Sequence, residues 1–169
     1  MYIKSILVLC FIGVLSIVNA LEVEGFKNLK WNDSSSKLVG KKLGYNTAHD
    51  IKVKNLSYNV KKEKLLIGDA KISSISYSFF DDRFYSAYVT YKGYSNFTIL
   101  EKVLEAKYGE SYRPNPYLDE YKWGADGKSI SLSYNDITEE GSIMILNLTI
   151  YTEATSYAKE VAIRDVNDL

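Results

Sequence analysis

Serine alternates with apolar side chains in two stretches of this chain, and no other feature constrains the fold as strongly. The first stretch, "SISYSF", runs from Ser74 to Phe79, and the second, "SISLSY", runs from Ser129 to Tyr134. Successive side chains of a β-strand point to opposite faces, so a period of two separates an apolar face from a hydroxyl face. Both stretches are therefore predicted to be strands of a sheet with one packed and one open face.

Turn residues place these strands in hairpins. The turn at Asp81–Arg83 joins predicted strands at 72–80 and 84–91, and Asp126–Gly127 is a strong two-residue hairpin signal. Residues 143–151 are apolar on both faces, which is typical of a strand in the middle of a sheet.

Three segments are predicted to be helical. A short helix at 35–43 follows a run of serines whose side chains are good N-caps, and Asn96 caps a second helix at 97–108 that ends at Gly109. A C-terminal helix is predicted at 153–166, where alanine and valine form a modest apolar stripe.

The pattern of elements repeats along the chain. "ISYSFFDD" at 75–82 is echoed by "ISLSYND" at 130–136, and each follows a predicted helix that ends in glycine. We therefore predict an α+β fold: an antiparallel sheet of two similar helix-plus-hairpin halves with the helices packed on one face. The halves correspond to residues 26–91 and 94–151, with generic strand patterning as the alternative explanation of the echo.

The first 20 residues, "MYIKSILVLCFIGVLSIVNA", have the layout of a secretory signal peptide. We expect cleavage after Ala20, which leaves a single domain at 21–169 that is exported to the periplasm or the extracellular space. A retained signal anchor is the alternative. Cys10 is the only cysteine, and Leu9 before it is too large for a lipoprotein signal. The exported part then has no disulfide and no thiol ligand, and it meets the membrane only through the signal segment.

Few residues in the sequence suggest catalysis. His49 is the only histidine, and none of the serines has a nucleophile-elbow context. The acidic pairs at 81–82, 119–120 and 139–140 are the only candidates for a two-carboxylate hydrolase site. We predict no catalytic residue, no metal site and no cofactor. Because 21 basic side chains balance 21 acidic ones, we also expect no nucleic-acid partner.

A family resemblance rests on widely spaced residues. Phe26 and Trp31 lead into the first predicted helix, against which Trp31 should pack, and an L-x-x-x-Y-G motif runs from Leu104 to Gly109 before the "SISLSY" strand. Together they resemble small exported bacterial proteins of unknown function that open with F-x-x-x-x-W-G, although Asn32 replaces that glycine. The tandem architecture is more distantly similar to β-lactamase inhibitor proteins and to small outer-membrane assembly lipoproteins. That resemblance implies protein binding through the open face of a sheet.

Tyrosine is the most abundant candidate contact residue, with 15 copies in the chain. Tyrosine is enriched in protein interfaces, although it is also a good strand former. The predicted binding residues are Tyr85, Tyr91, Tyr94, Tyr112, Tyr117 and Tyr121. The leading hypothesis is a non-catalytic module that binds another exported or envelope protein, or a peptide, on an aromatic and serine-lined sheet face. The alternatives are a carboxylate-dependent hydrolase that acts on the cell envelope and a carrier of a small apolar ligand.

Overall fold

A computed structural model describes residues 23–38, 53–59 and 65–167. The predicted signal peptide, Cys10, His49 and residues 39–43 of the first predicted helix lie outside these ranges. In chain order the strands are β1 (Gly25–Phe26), β2 (Leu29–Lys30), β3 (Val53–Asn59), β4 (Leu66–Ile67), β5 (Ala70–Phe80), β6 (Arg83–Lys92), β7 (Asp119–Ala125), β8 (Lys128–Asn135) and β9 (Glu140–Asn147). The α-helices are α1 (Tyr94–Tyr108) and α2 (Leu148–Asn167), and a 3-10 turn covers Ser35–Leu38.

The main sheet is antiparallel, with the strand order β3-β5-β6-β9-β8-β7. β4 pairs with the first residues of β5, and β1 and β2 form a separate small hairpin. β9 lies between β6 and β8, as its apolar faces predicted. The α+β prediction is confirmed as a curled antiparallel sheet with two helices.

Both predicted tight hairpins are present, because their turn residues adopt left-handed backbone conformations. Asp81 and Asp82 have φ values of 50° and 58° between β5 and β6, and Asp126 and Gly127 have 51° and 73° between β7 and β8. Two central residues with positive φ match the right-handed twist of the flanking strands, and Asp and Gly tolerate this geometry best.

One face of the sheet holds the main hydrophobic core. Its fully buried strand side chains include Ile75, Phe79, Phe84, Val89, Ile130, Leu132 and Ile143. Helix α1 covers this face with Phe97, Leu100 and Leu104. Burying each such side chain contributes about 1.5–3 kcal/mol, so this face supplies most of the stability of the domain.

The N-terminal segment is attached to the start of β6. The Trp31 ring stacks on Phe84 with 5.2 Å between ring centroids, so Phe84 is the aromatic partner of Trp31. The backbone N–H groups of Asn32 and Phe84 donate to the carbonyls of Phe84 and Asp33 at 3.1 and 2.8 Å. Asn32 has a φ of 69°, a conformation that asparagine adopts more readily than most residues.

The serines after Trp31 begin a 3-10 turn, and an acid from a distant hairpin caps it. The Asp82 carboxylate accepts hydrogen bonds from the Ser34 hydroxyl at 2.6 Å and from the Ser35 backbone N–H at 3.2 Å. The acidic pair at 81–82 therefore forms a turn and holds the N-terminal segment, which explains its composition without catalysis.

Helix α1 begins earlier than predicted. Gly93 is its N-cap, and Asn96 lies within the first turn. The Asn96 side chain instead accepts from the Lys71 N–H at 2.9 Å and donates to the Lys92 carbonyl at 2.7 Å, which ties the helix to β5 and β6. The predicted end at Gly109 is confirmed, and its φ of 78° favours glycine.

The prediction that the last strand reaches Tyr151 is wrong, because Asn147 ends it. The Asn147 side-chain oxygen accepts the backbone N–H of Ile150 at 3.3 Å, which is the capping interaction that starts a helix. Helix α2 therefore begins at Leu148 rather than near residue 153. No helix in the described part of the chain combines the length and the hydropathy needed to cross a bilayer.

The two helices lie on opposite faces of the sheet, so the prediction that both pack on one face is wrong. Ile150 and Ala154 of α2 form a second buried cluster with Phe80, whose side chain points away from the face that contains Phe79. A buried aromatic at the end of β5 gives α2 a packing partner on the second face. The similarity of the halves at 26–91 and 94–151 stays a prediction.

A close packing contact at Gly141 joins the central strands. Tyr91 of β6 is 1% exposed, and its hydroxyl donates to the Ser133 carbonyl in β8 at 2.7 Å. A Cβ atom at Gly141 of β9 would approach the Tyr91 ring to 2.2 Å. Only glycine at this position lets the ring cross β9 without displacing it.

We predict that Gly141→Ala destabilises the domain by about 1–3 kcal/mol, because the added methyl group overlaps the Tyr91 ring. The midpoint of urea unfolding measures this change. Ser131, which is half-buried on the other face, supplies the control, and Ser131→Ala should stay within about 0.5 kcal/mol of wild type. Equal midpoints for Gly141→Ala and wild type would contradict the predicted contact.

Candidate binding face

The second face of the sheet is lined mostly by hydroxyl groups. We call it the hydroxyl face and define it by the side chains that alternate with the core on β5, β6, β8 and β9. They are Ser74, Ser76, Ser78, Ser86, Tyr88, Thr90, Ser129, Ser131, Ser133, Ser142, Met144 and Leu146. All of them except Ser86 are at least partly accessible to solvent.

The hydroxyls of this face pair with one another across the strands. The Ser74 and Thr90 hydroxyls are 2.7 Å apart, and those of Ser133 and Ser142 are 3.0 Å apart. Such pairs stabilise neighbouring strands by a few tenths of a kcal/mol to about 1 kcal/mol each. The described residues contain no histidine that could activate one of these serines as a nucleophile.

Two larger side chains stand out in the middle of the hydroxyl face. Tyr88 and Met144 are directly opposite each other on β6 and β9. Tyr88 is 40% exposed and Met144 is 37% exposed, which is high for large side chains on central strands. An aromatic ring beside a flexible thioether is a good contact surface for a partner.

Helix α2 covers one end of the hydroxyl face, and Tyr85 belongs to that covered end. The register places Ser78 opposite Ser86 and Phe79 opposite Phe84, so Tyr85 is the extra residue of a β-bulge. The bulge brings its ring to within 6.4 Å of the Tyr151 ring of α2. Burial raises the pKa of the Tyr85 phenol, and a hydrogen bond with Ser78 acts in the opposite direction.

The other end of the hydroxyl face forms a groove of about 460 Å³ that is open to solvent. Its lining includes Tyr88, Thr90, Ser133, Asn135 and Ser142, together with Leu118. The volume falls within the range of small-molecule sites, but the open shape and mixed polarity differ from the enclosed apolar cavity that a carrier of apolar ligands requires.

Three carboxylates also line the groove, and each one is ion-paired with a cation. Glu140 pairs with Lys92 at 2.8 Å, Glu120 pairs with Lys122 at 2.9 Å, and Asp119 pairs with Arg113 at 3.2 Å. The hydrogen bond from Lys92 to Glu140 raises the pKa of that lysine. Within the described residues no cluster of histidine, cysteine and acidic side chains is arranged to hold a metal ion.

The structure does not bring the six predicted tyrosines together. Tyr91 is almost fully buried in the core and offers little surface to a partner, although it borders the groove. Tyr121 packs on the core side against Phe97, with the Arg113 guanidinium 5.3 Å from its ring centroid. Burial is the main cause that raises the pKa of Tyr121, with Glu101 next.

The other three predicted tyrosines are exposed, on separate segments. Tyr94 begins α1, where its ring lies 5.6 Å from that of Tyr134. Tyr112 forms an isolated backbone bridge with Lys122 at the edge of β7, and Tyr117 is 91% exposed in the loop before that strand. Tyr94 contacts Tyr134 and Tyr117 precedes Leu118, and both of those neighbours line the groove, whereas none of the three tyrosines belongs to the hydroxyl face.

Sequence reasoning missed Tyr88 and Met144, although a signal for both was available. Tyr88 lies two residues from Ser86 and from Thr90, so its parity places it with the hydroxyls. Met144 alternates with Ile143 and Ile145 in the same way. The clustering of tyrosines along the chain gives no such assignment, because it ignores which side chains alternate with the core.

Comparison with protein-family models, with curated proteins and with solved structures finds no match to this chain. The function is therefore argued from the geometry of the hydroxyl face alone.

The buried Tyr91 phenol predicts a specific alkaline instability. Burial raises its pKa well above the ordinary value of 10.0, so the fold favours the neutral phenol. A raised pKa contributes stability that is present below about pH 10 and is lost as pH rises through the folded pKa. Urea midpoints at about pH 7 and pH 11 should therefore fall less steeply for Tyr91→Phe than for wild type.

At neutral pH the same variant should lose about 0.5–1.5 kcal/mol, the typical contribution of the lost hydrogen bond to Ser133. Tyr117→Phe is the matched control, because Tyr117 is almost fully exposed and both midpoints should equal those of wild type. An identical alkaline loss in Tyr91→Phe and wild type would refute the role of Tyr91.

Proposed function

We propose that this chain is an exported, non-catalytic binding module that recognises a protein or peptide on the hydroxyl face. One observation carries the proposal: an open, hydroxyl-lined groove leads to the exposed pair Tyr88 and Met144 at the centre of the sheet. Exposed apolar side chains within a polar surround are typical of binding surfaces. Two pairs of hydroxyls on this face bond to each other, and the three groove carboxylates are ion-paired, which supports recognition rather than chemistry.

The partner in this proposal is another exported or envelope protein. The signal-like first 20 residues support export to the periplasm or the extracellular space. We further propose that the domain arose by duplication. The helical turn at Ser35–Leu38 precedes β3-β5-β6 and α1 precedes β7-β8-β9, so in each half a helical segment is followed by a three-stranded meander, which supports this proposal.

The test compares two double variants of the chain at 21–169, each immobilised and exposed to the exported proteins of the source organism. Tyr88→Ser with Met144→Ser removes the exposed apolar pair from the hydroxyl face. Leu66→Ser with Ile163→Ser removes similarly exposed side chains elsewhere. We expect the face variant to lose affinity by about 10-fold or more for the protein that wild type retains, because central aromatic contacts dominate interfaces.

The control variant should bind as wild type does. Equal retention by wild type and by the face variant would refute the proposal that the hydroxyl face is the binding surface. Circular dichroism of both variants verifies that neither change alters the fold.

A hydrolase is the second candidate, and the acids of the groove favour it. Asp119, Glu120 and Glu140 come from two of the acidic pairs noted in the sequence, and the fold brings them to one groove. Glycosidases use two carboxylates about 5–10 Å apart. However, each of the three acids already forms an ion pair with a lysine or an arginine, so none of them is left without a charged partner in the groove.

Release of soluble fragments from purified cell-wall polysaccharide distinguishes these two functions. We expect no release by wild type, by Glu120→Gln or by Glu140→Gln. If wild type releases fragments and either substitution abolishes that release, the binding module is refuted and the hydrolase is supported.

A further inference from the structure

The open end of the groove is bordered by exposed apolar side chains. We call them the apolar rim: Tyr94, Tyr117, Leu118 and Ile137. They come from the start of α1, the loop before β7 and the turn between β8 and β9. Ile137 is 90% exposed, and Leu118 also lines the groove. Large apolar side chains that border a groove suit a partner with apolar side chains of its own.

Local contacts hold the three segments of the apolar rim together. The Gly93 N–H donates to the Glu139 carbonyl at 2.8 Å, which joins the start of α1 to the turn between β8 and β9. The Tyr94 ring also contacts Tyr134, and Tyr134 pairs with Asp119 at the start of β7. The rim is thus a defined part of the fold rather than a set of unrelated loop tips.

The charges around the rim are unbalanced. The carboxylates of the groove are ion-paired, as described above, but the exposed Asp136 and Glu139 form no ion pair with any residue that the structure describes. Their negative charges also act on a neighbouring tyrosine. The pKa of Tyr134 is raised mainly by burial, and next by the charges of Glu139 and Asp136. This end of the molecule therefore combines exposed apolar surface with two unpaired negative charges.

We infer that the segment recognised at this groove is an extended peptide that presents lysine or arginine next to apolar side chains. Its apolar side chains contact the apolar rim, its cations lie against Asp136 and Glu139, and its small polar residues cross the hydroxyl face. In an extended chain, alternate side chains point the same way, so cations and apolar groups are presented to different surfaces. This inference rests on the proposed function and adds the chemistry of the partner.

Charge complementarity decides against other occupants. An anionic peptide or an acidic membrane surface would meet Asp136 and Glu139 with like charge. A neutral oligosaccharide would gain nothing from these two carboxylates beyond hydrogen bonds. Only a cationic segment gains from both the rim and the unpaired acids.

The experiment uses defined peptides and the chain at 21–169. The probe is a short capped peptide in which lysine alternates with leucine at one end and serine alternates with glycine at the other. A second peptide has glutamate in place of each lysine. Isothermal titration calorimetry gives both affinities, at salt concentrations of about 50 and 300 mM. We expect the lysine peptide to bind, with an affinity that falls at the higher salt, and the glutamate peptide not to bind.

Two charge-matched variants locate the effect. Asp136→Asn with Glu139→Gln should weaken binding of the lysine peptide by about 10-fold, the loss of two exposed charge interactions. Asp126→Asn with Glu160→Gln removes the same charge from the opposite hairpin and from α2, and should leave the affinity unchanged. Because all four side chains are exposed, folding is not at risk.

Three outcomes would overturn the inference: equal binding of the two peptides, equal weakening by the two variants, or no binding of the lysine peptide. Binding of cellohexaose in place of the peptides would assign the groove to neutral sugars and overturn it as well. The proposed function is judged separately. If Tyr88→Ser with Met144→Ser still abolishes retention of the natural partner, the binding module stands and only the charge of the partner is wrong.

Discussion

The contact between Tyr91 and Gly141 ties together the central strands on which the two faces of the sheet depend. The ring crosses β9 on the core side and anchors its hydroxyl to the Ser133 carbonyl of β8. One side chain thereby joins three central strands. Its hydrogen bond also avoids the free-energy penalty of burying a phenol hydroxyl without a partner. The strands that carry Tyr91 and Gly141 on the core side present Thr90 and Ser142 on the other side, where both line the groove.

Helix α2 sets the extent of the binding face. If α2 packed beside α1 instead, the whole hydroxyl face would be open. Phe80 would then lose the helix that covers it and would be exposed to water. The Asn147 cap starts the helix directly at the end of β9, and Ile150 then meets Phe80. One end of the face is therefore covered, and the open end is left with the groove and the apolar rim. A groove that is open at one end favours, in our proposal, an extended segment over a flat surface as the partner.

Much of this fold is predictable from local patterns, and the site is not. The alternation around Ile75 and Ile130, the Asp-rich turns and the stop at Gly109 depend on neighbours in sequence, so the strands, hairpins and the end of α1 follow from them. The face that α2 covers depends on Phe80, and the burial of Tyr91 depends on Gly141, which lies on another strand. The selection of tyrosines by clustering therefore grouped the core residue Tyr91 with surface residues. It also passed over Tyr88, which alternation along β6 places on the hydroxyl face.

The arrangement of charge in the groove is the reason that we propose a binding module ahead of a hydrolase. A catalytic pair needs one carboxyl group poised to donate a proton, which burial or a nearby like charge provides. Here each groove carboxylate faces a cation instead: Arg113, Lys122 or Lys92. Asp136 and Glu139 differ because they lie outside the groove and pair with no cation in the part of the chain that the structure describes. An exposed carboxylate of this kind is suited to attract the cation of another chain.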